Sequence, residues 1–285
     1  MRRLKAKKVT RSISGNLGIL LFLIILGLFM MIPFIYIVSN AFKSLEELNR
    51  FPPTFYVQNP TIRNFTELFN LLSETAMPFS RYLFNTFFLT AAGALGQIIL
   101  SSLCAYSLAK IPFPGSRVVF KLIVFSLMFS PIVTQVPTYI IFARLQLLDT
   151  FQAMILPVLS STLGLYLMKQ FMENTVPDAL LEAARIDGAS EFTSFLRIVM
   201  PLLKPAWMTL TILSIQTLWN NISPYTYKES LKTLPQALAQ LVTGGIERMG
   251  VSAAIGLLMM IIPLACFILM QARIIDTMGS SGLKE

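Results

Sequence analysis

Apolar runs of membrane length recur along the chain, separated by short stretches rich in charge, proline or glycine. A helix needs about 20 apolar residues to span a bilayer. On that measure the pattern predicts six transmembrane helices, near residues 17–39, 82–109, 118–143, 151–172, 206–227 and 251–272. The second and third are long enough to tilt or to project beyond the lipid. The fold class expected is an all-α membrane protein: a basic N-terminal segment at 1–16, a six-helix transmembrane domain at 17–273 and a tail at 274–285. A charged island at 174–205 interrupts the domain.

Six spans put both termini on one side, and the basic residues indicate which. Arg2, Arg3, Lys5, Lys7, Lys8 and Arg11 precede the first span. Lys110, Arg117 and Lys121 flank the next turn on that side, and Lys169, Arg185, Arg197 and Lys204 flank the one after. With Arg273 and Lys284 they make fifteen of the 23 basic residues. The positive-inside rule then places both termini in the cytoplasm of a multi-pass protein of the bacterial inner or plasma membrane. Ser39 and Ala41 offer a small-residue cleavage site, but the apolar run before them exceeds the usual h-region of about 7–15 residues, so it reads as a span.

Two loops fall on the opposite side. The first, 41–80, carries Pro52, Pro53, Pro60 and Pro78 among aromatic residues and is expected to be folded but irregular. The second, 225–250, contains a stretch in which Pro235 can start a short helix and Gly244-Gly245 can end it.

Composition narrows the function. Hydrophobic residues make up 55% of the chain, charged residues 13%, and the mean hydropathy is +0.68, a balance outside that of soluble domains. The net charge of +9 sits at the ends of apolar runs and forms no aromatic-interleaved stripe, which argues for membrane lipid and against nucleic acid as a partner. The chain has no histidine, which excludes His-dependent catalysis and the commonest metal ligand. Cys104 and Cys266 lie inside apolar runs and are expected to pack as small hydrophobes.

Inside the predicted spans, Ala92, Gly96, Ser101, Ala105 and Ala109 give the small-residue spacing of close helix packing. Pro131 and Pro137 bracket Gln135 near mid-membrane, and freed carbonyls at that depth require protein or a water-filled cavity beside them. Gln97, Gln135, Gln216, Asn220 and Asn221 are candidates for lining a passage, with interhelical hydrogen bonding as the alternative for each. No acidic residue falls near the middle of a span, which argues against a proton- or sodium-driven carrier.

The island is the most informative stretch. Pro177 fits the first position of a helix, Asp178 and Glu182 put negative charge near its N-terminus, and Gly188 suits a left-handed cap. After Ser190 as a possible N-cap, Phe192, Phe195, Leu196 and Val199 predict one apolar stripe on a second helix, ended by Pro201 and Pro205. An amphipathic helix lying on headgroups would carry mainly basic residues on its polar face, whereas Asp178, Glu182 and Asp187 are acidic. That surface suits a basic pocket of a soluble protein.

EAA, two further residues, DGA and then an aromatic-containing helix ending in Pro-Leu resemble the cytoplasmic signature of binding-protein-dependent ABC importer permeases. Glu182, Ala183, Ala184, Asp187, Gly188, Ala189, Phe195, Ile198, Pro201, Leu202 and Pro205 stand where that motif has them. AYSLAK after the second span, LLDT after the third and TLP before the last extend the likeness, which is greatest to the carbohydrate-uptake branch typified by the smaller permease of the maltose system. The resemblance implies a type I (MetI-like) importer fold and a sugar or oligosaccharide as cargo. It implies a second homologous permease, two ATPase subunits and an external solute-binding protein as partners. Glu182, Ala183, Ala184, Asp187, Gly188 and Ala189 would then be the ATPase-coupling residues. The chain has no G-x-x-x-x-G-K-[ST] loop and is expected to bind no cofactor and to be no enzyme, with ATP and magnesium held by the partner ATPase. The alternatives are an importer of the same class for a peptide, amino acid or other polar solute, and an ATP-independent channel or carrier.

Overall fold

A computed structural model of the chain describes residues 13–241 and 248–281. The basic residues before Ile13, the Gly244-Gly245 pair and the last four residues of the tail lie outside the described residues. Every regular element among the described residues is helical. In chain order these are α1 (Ile13–Phe42), α2 (Leu45–Leu48), α3 (Arg63–Ser73), α4 (Phe79–Lys110), α5 (Ser116–Ser126), α6 (Pro131–Arg144), α7 (Phe151–Leu159), α8 (Thr162–Thr175) and α9 (Asp178–Ile186). There follow α10 (Glu191–Ser194), a π turn (Phe195–Val199), α11 (Met200–Leu202), α12 (Lys204–Trp219), a 3₁₀ turn (Glu229–Leu231), α13 (Leu234–Leu241) and α14 (Met249–Ser281).

By length and composition four helical segments can cross a membrane: Gly15–Phe42, Phe79–Lys110, Phe151–Thr175 and Met249–Leu269. Six can do so if each of two bent pairs counts as one span. The first pair corrects the expectation of a continuous third span at 118–143: α5 and α6 meet at 106°, with the break ahead of Pro131. A residue preceding proline is driven out of the α region. Ser130 accordingly sits at φ −66°, ψ 138° and turns its hydroxyl to accept from the N–H of Ile132. The second pair, Glu191–Leu202 and α12, bends by 78°. The fifth span also ends earlier than 227, because α12 stops at Trp219 and residues 220–227 leave the helix.

The chain packs as two units. One holds the residues up to Leu68 and the stretch ending at Leu257; the other holds the chain from Phe69 through α13 and from Leu258 onward. In the first unit the apolar length of α1 is exposed, as a lipid-facing helix must be, and only its last turns gather partners. There Phe42 packs against Phe65 with ring centres 5.3 Å apart, and the Asn64 amide donates to the carbonyls of Ala41 (2.9 Å) and Lys43 (2.8 Å). Glu47 accepts from the backbone N–H of Gln58 at 2.8 Å. The 41–80 loop is thus folded, as expected, but less irregular than its prolines and aromatics predict, because α2 and the eleven-residue α3 lie within it.

In the second unit α4 is the central helix, packed by α7, α8 and α12. Small residues make this possible, since without a hydrophobic drive in lipid the helices need close backbone approach. Gly96 and Ala105 both serve: Leu159 closes on the first, and the second is fully buried. At one end of the unit the start of α4 holds the 220–234 stretch. The Asn85 amide donates to the carbonyls of Ser230 and Lys232, both at 2.9 Å, and the Tyr82 hydroxyl donates to Glu229 at 2.7 Å. Beside them Asp149 accepts from the backbone N–H groups of Tyr227 (2.5 Å) and Lys228 (2.8 Å). At the other end α4 meets the charged island.

Candidate functional site

The island folds as the sequence dictates, with two differences. Pro177 is the cap ahead of α9 rather than its first residue, and its extended backbone (ψ 137°) leaves Asp178 in the first turn, where negative charge is favoured by the helix dipole. At the other end Gly188 has φ +80°, the Ala189 N–H returns to the Ala184 carbonyl (2.9 Å) and the Gly188 N–H to that of Arg185 (3.0 Å). These two bonds form a Schellman stop. Ser190 then caps the next helix, accepting from the Thr193 N–H at 3.2 Å.

The second difference lies in the stripe. Phe195 and Val199 are buried and Leu203 continues them, but Phe192 and Leu196 are exposed. From Phe195 to Val199 the helix is a π turn, which holds more residues per turn than an α-helix and so shifts the register of the residues that follow against those before it. Pro201 and Pro205 bracket the end of the second helix as expected: it stops at Leu202, and Leu203 leaves the helix at ψ 11°. Pro205 stands in the first turn of α12, where the N–H that proline lacks has no helical partner.

α9 therefore presents two faces. Leu181 points inward to a core built with Tyr106, Met168, Met172, Val176, Phe195 and Val199, and Ala184 is buried beside it on the helix. Glu182, Ala183, Asp187 and Gly188 are exposed, and Ala189 is half-buried. Of the six candidate coupling residues the structure thus gathers four on the open side, while Ala184 packs within the chain. Sequence reasoning passed over Ile186, which is 87% exposed beside Asp187. Its signal was its spacing: four residues after Glu182 and three after Ala183 places it on their face.

Charge fixes the ends of α9. The Lys110 ammonium donates to Asp178 (2.6 Å) and to the Val176 carbonyl (2.7 Å). Glu191 accepts from the Arg185 guanidinium (2.7 Å) and from the Tyr106 hydroxyl (2.6 Å). Arg185, and after it Tyr106, hold the Glu191 carboxyl below the usual glutamate range.

The amide candidates separate into different places. Gln97 is buried between α4 and α12, its side-chain oxygen accepting from the Ser214 hydroxyl at 2.9 Å. Gln216 and Asn220 sit together on the exposed end of α12, where the Asn220 amide donates to the Gln216 carbonyl. Gln135 and Asn221 share a cavity, a groove of about 290 Å³ whose wall includes Pro131, Pro157, Ser223 and Tyr225. It opens where α6 begins after the break. A larger cleft of about 540 Å³, lined by Phe87, Ile98, Trp207 and Trp219, is almost wholly apolar and offers little to a polar solute.

Several helices of membrane-crossing length, with a short, stopped, partly acidic helix between two of the candidate spans, define a helical membrane protein. The comparisons make this specific: residues 97–278 match the family described as the binding-protein-dependent transport system inner membrane component, and the chain belongs to that family. A polygalacturonan/rhamnogalacturonan transport system permease protein of Bacillus subtilis (strain 168) is 31% identical over 199 residues, covering 70% of this chain and 67% of that protein. An arabinooligosaccharides transport system permease protein of the same organism is 27% identical over 274 residues, covering 94% and 96%. The crystal structure of a bacterial ABC transporter involved in the import of the acidic polysaccharide alginate shares the fold, with a TM-score of 0.74 at 23% identity over 92% of this chain and 98% of that one.

Proposed function

We propose that this chain is a transmembrane subunit of an ATP-driven importer for a sugar or oligosaccharide, and that α9 is the helix on which the ATPase docks. The observation that carries the reading is α9 itself: nine residues, stopped at Gly188, tied down at both ends, and open along Glu182, Ala183, Ile186 and Asp187. Acidic and apolar side chains on one exposed face suit a basic pocket with an apolar floor. The saccharide cargo is supported by the substrates that the two Bacillus permeases and the alginate importer are named for.

In this reading the chain pairs with a second, homologous permease, two ATPase subunits and an external solute-binding protein, and ATP with magnesium is held by the ATPase. The sequence carries no phosphate-binding loop of its own. Closure of the ATPase pair moves α9, and the bundle alternates access to a central passage to which Gln135 and Asn221 contribute amide groups. The island and both termini face the cytoplasm.

Reconstitution tests this directly. The chain is co-expressed with its candidate partners, purified through a tag on this subunit and placed in proteoliposomes with the binding protein and a labelled oligosaccharide. Uptake that requires both ATP and the binding protein is expected. Uptake without any ATPase would make the protein a channel or carrier, and ATP-dependent uptake of peptides or amino acids alone would displace the saccharide reading.

A further inference from the structure

The AYSLAK stretch at the end of α4 has no role in the reading above, although its tyrosine and lysine make the closest polar contacts to the island. We propose that Tyr106 and Lys110 are the two positioning residues through which movement of α9 is delivered to α4. The proposal rests on α9 being the docking helix.

The geometry is a pair of struts from one helix face. Tyr106 and Lys110 are four residues apart, hence neighbours along one side of α4. Lys110 reaches the start of α9, bonding Asp178 at 2.6 Å and the Val176 carbonyl at 2.7 Å, with its side chain only 5% exposed. Tyr106 reaches the other end through an intermediary: its hydroxyl donates to Glu191 at 2.6 Å, and Glu191 accepts from Arg185, in the last turn of α9, at 2.7 Å. The Tyr106 ring also packs on Phe195 of the π turn, with centres 5.5 Å apart. Both ends of a nine-residue helix are therefore referred to a single helix of 32 residues.

Chain connectivity makes this arrangement consequential. α9 is joined covalently to α8 through Val176 and Pro177, and to α12 only through α10, the π turn and α11. Neither route runs through α4 itself: α8 and α12 pack against it sideways, whereas Tyr106 and Lys110 join it to the two ends of α9 by directional bonds. The inward contact of Leu181 is apolar and without direction, so by itself it sets no orientation of α9 on the core. Hydrogen bonds to ionised partners are short and directional, and they set that orientation. With the struts in place a push on α9 displaces α4 along with it. Without them the push is absorbed as slip between α9 and the core.

The test uses the whole transporter in proteoliposomes, with binding protein, and reads two quantities: ATPase subunits retained per permease, and solute moved per ATP hydrolysed. Tyr106→Phe removes only the hydroxyl and keeps the ring on Phe195; Lys110→Gln removes the charge at nearly constant length. Each variant is expected to retain the ATPase at the wild-type ratio while solute moved per ATP falls about tenfold, the scale set by one lost hydrogen bond to a charged group. Lys110→Arg, which keeps the charge and the donors, is expected to preserve the wild-type ratio. An unchanged ratio in both Tyr106→Phe and Lys110→Gln overturns the proposal, and so does a parallel fall in uptake and hydrolysis, which is what a merely structural role produces. Loss of the ATPase from both variants also overturns it, since the residues would then shape the docking surface. The underlying reading fails separately, if the wild-type complex shows no ATP-dependent uptake.

Discussion

Leu159 of α7 closes on Gly96 of α4 so tightly that a Cβ at residue 96 would stand 2.4 Å from the leucine Cδ2. The obstacle is the far end of one flexible side chain, so a small addition can be met by a rotamer change and a large one cannot. Gly96→Ala is expected to be mild. Gly96→Val is expected to cost about 1–3 kcal/mol of overpacking, read as a lower thermal midpoint of the detergent-solubilised protein. Leu159→Ala in the Gly96→Val background should recover part of the loss. If the two substitutions simply add, the contact does not limit the packing.

Gly188 and Glu182 test the docking helix. Gly188 sits at φ +80° with open space around it, so the strain of a replacement is one of backbone and not of crowding. Gly188→Val is expected to cost about 1–2 kcal/mol at that position, and Glu182→Lys to present like charge to a basic pocket. Both variants should reach the membrane at wild-type level, measured by quantitative blotting, and retain little ATPase on purification. Wild-type uptake by both would remove α9 from the mechanism.

Asp149 supplies a pH dependence. Burial alone would raise its carboxyl, but the N–H groups of Lys228 and Tyr227 and the Lys228 charge outweigh it and hold the group below the usual aspartate range. A depressed folded value means that the stabilisation is fully present above the unfolded value of about 3.9 and is lost as pH falls through the folded one. Hydrogen-exchange protection of the Tyr227 and Lys228 amides, corrected for intrinsic rates, should therefore be level from neutral pH to about 5 and fall only in stronger acid. Asp149→Ala should abolish the excess protection at every pH; protection that persists in it would mean that other bonds hold the loop.

The groove is tested by replacing Gln135 and Asn221 with leucine together. Uptake should fall while binding-protein-stimulated ATP hydrolysis continues. The same pair of changes at Gln97 and Gln216, which lie outside the groove, should leave the ratio of uptake to hydrolysis near wild type. Equal effects of the two pairs would deny the groove any special part.

Topology follows from the basic residues and can be read by cysteine labelling in a background lacking Cys104 and Cys266. A membrane-impermeant reagent applied to intact cells should modify a cysteine at position 52 and spare one at 190. The reverse pattern would invert the protein.

Hydropathy carried much of the fold, because a bilayer demands about 20 apolar residues per crossing whatever else the sequence does. It could not register the break at Leu127–Ser130: the residues there are apolar on both sides, and the cause lies in the backbone of a single residue, Ser130, set by the proline that follows. The island was legible in its ends, since Pro177, Gly188 and Ser190 act through local backbone rules. Its interior was not. The stripe through Phe192 and Leu196 assumed one helical period, and the π turn changes that period inside the segment. Gln97 shows a different limit, because composition marks a polar residue in an apolar run but not whether its partner is Ser214 or a solute.

The π turn also makes chain length a constrained quantity in a place where composition is free. Each residue of an α-helix advances about 100° around the axis, so deleting one residue between Phe195 and Val199 to restore a regular helix would turn everything before it by roughly that angle relative to α12. Glu191 would swing away from Tyr106, and the residues before the turn would lose their present orientation to the core. Exposed Leu196 and Arg197 can thus vary in kind at little consequence, whereas an insertion or deletion beside them would re-aim the whole island. The turn is in effect a spacer whose count of residues, more than their identity, encodes where α9 points.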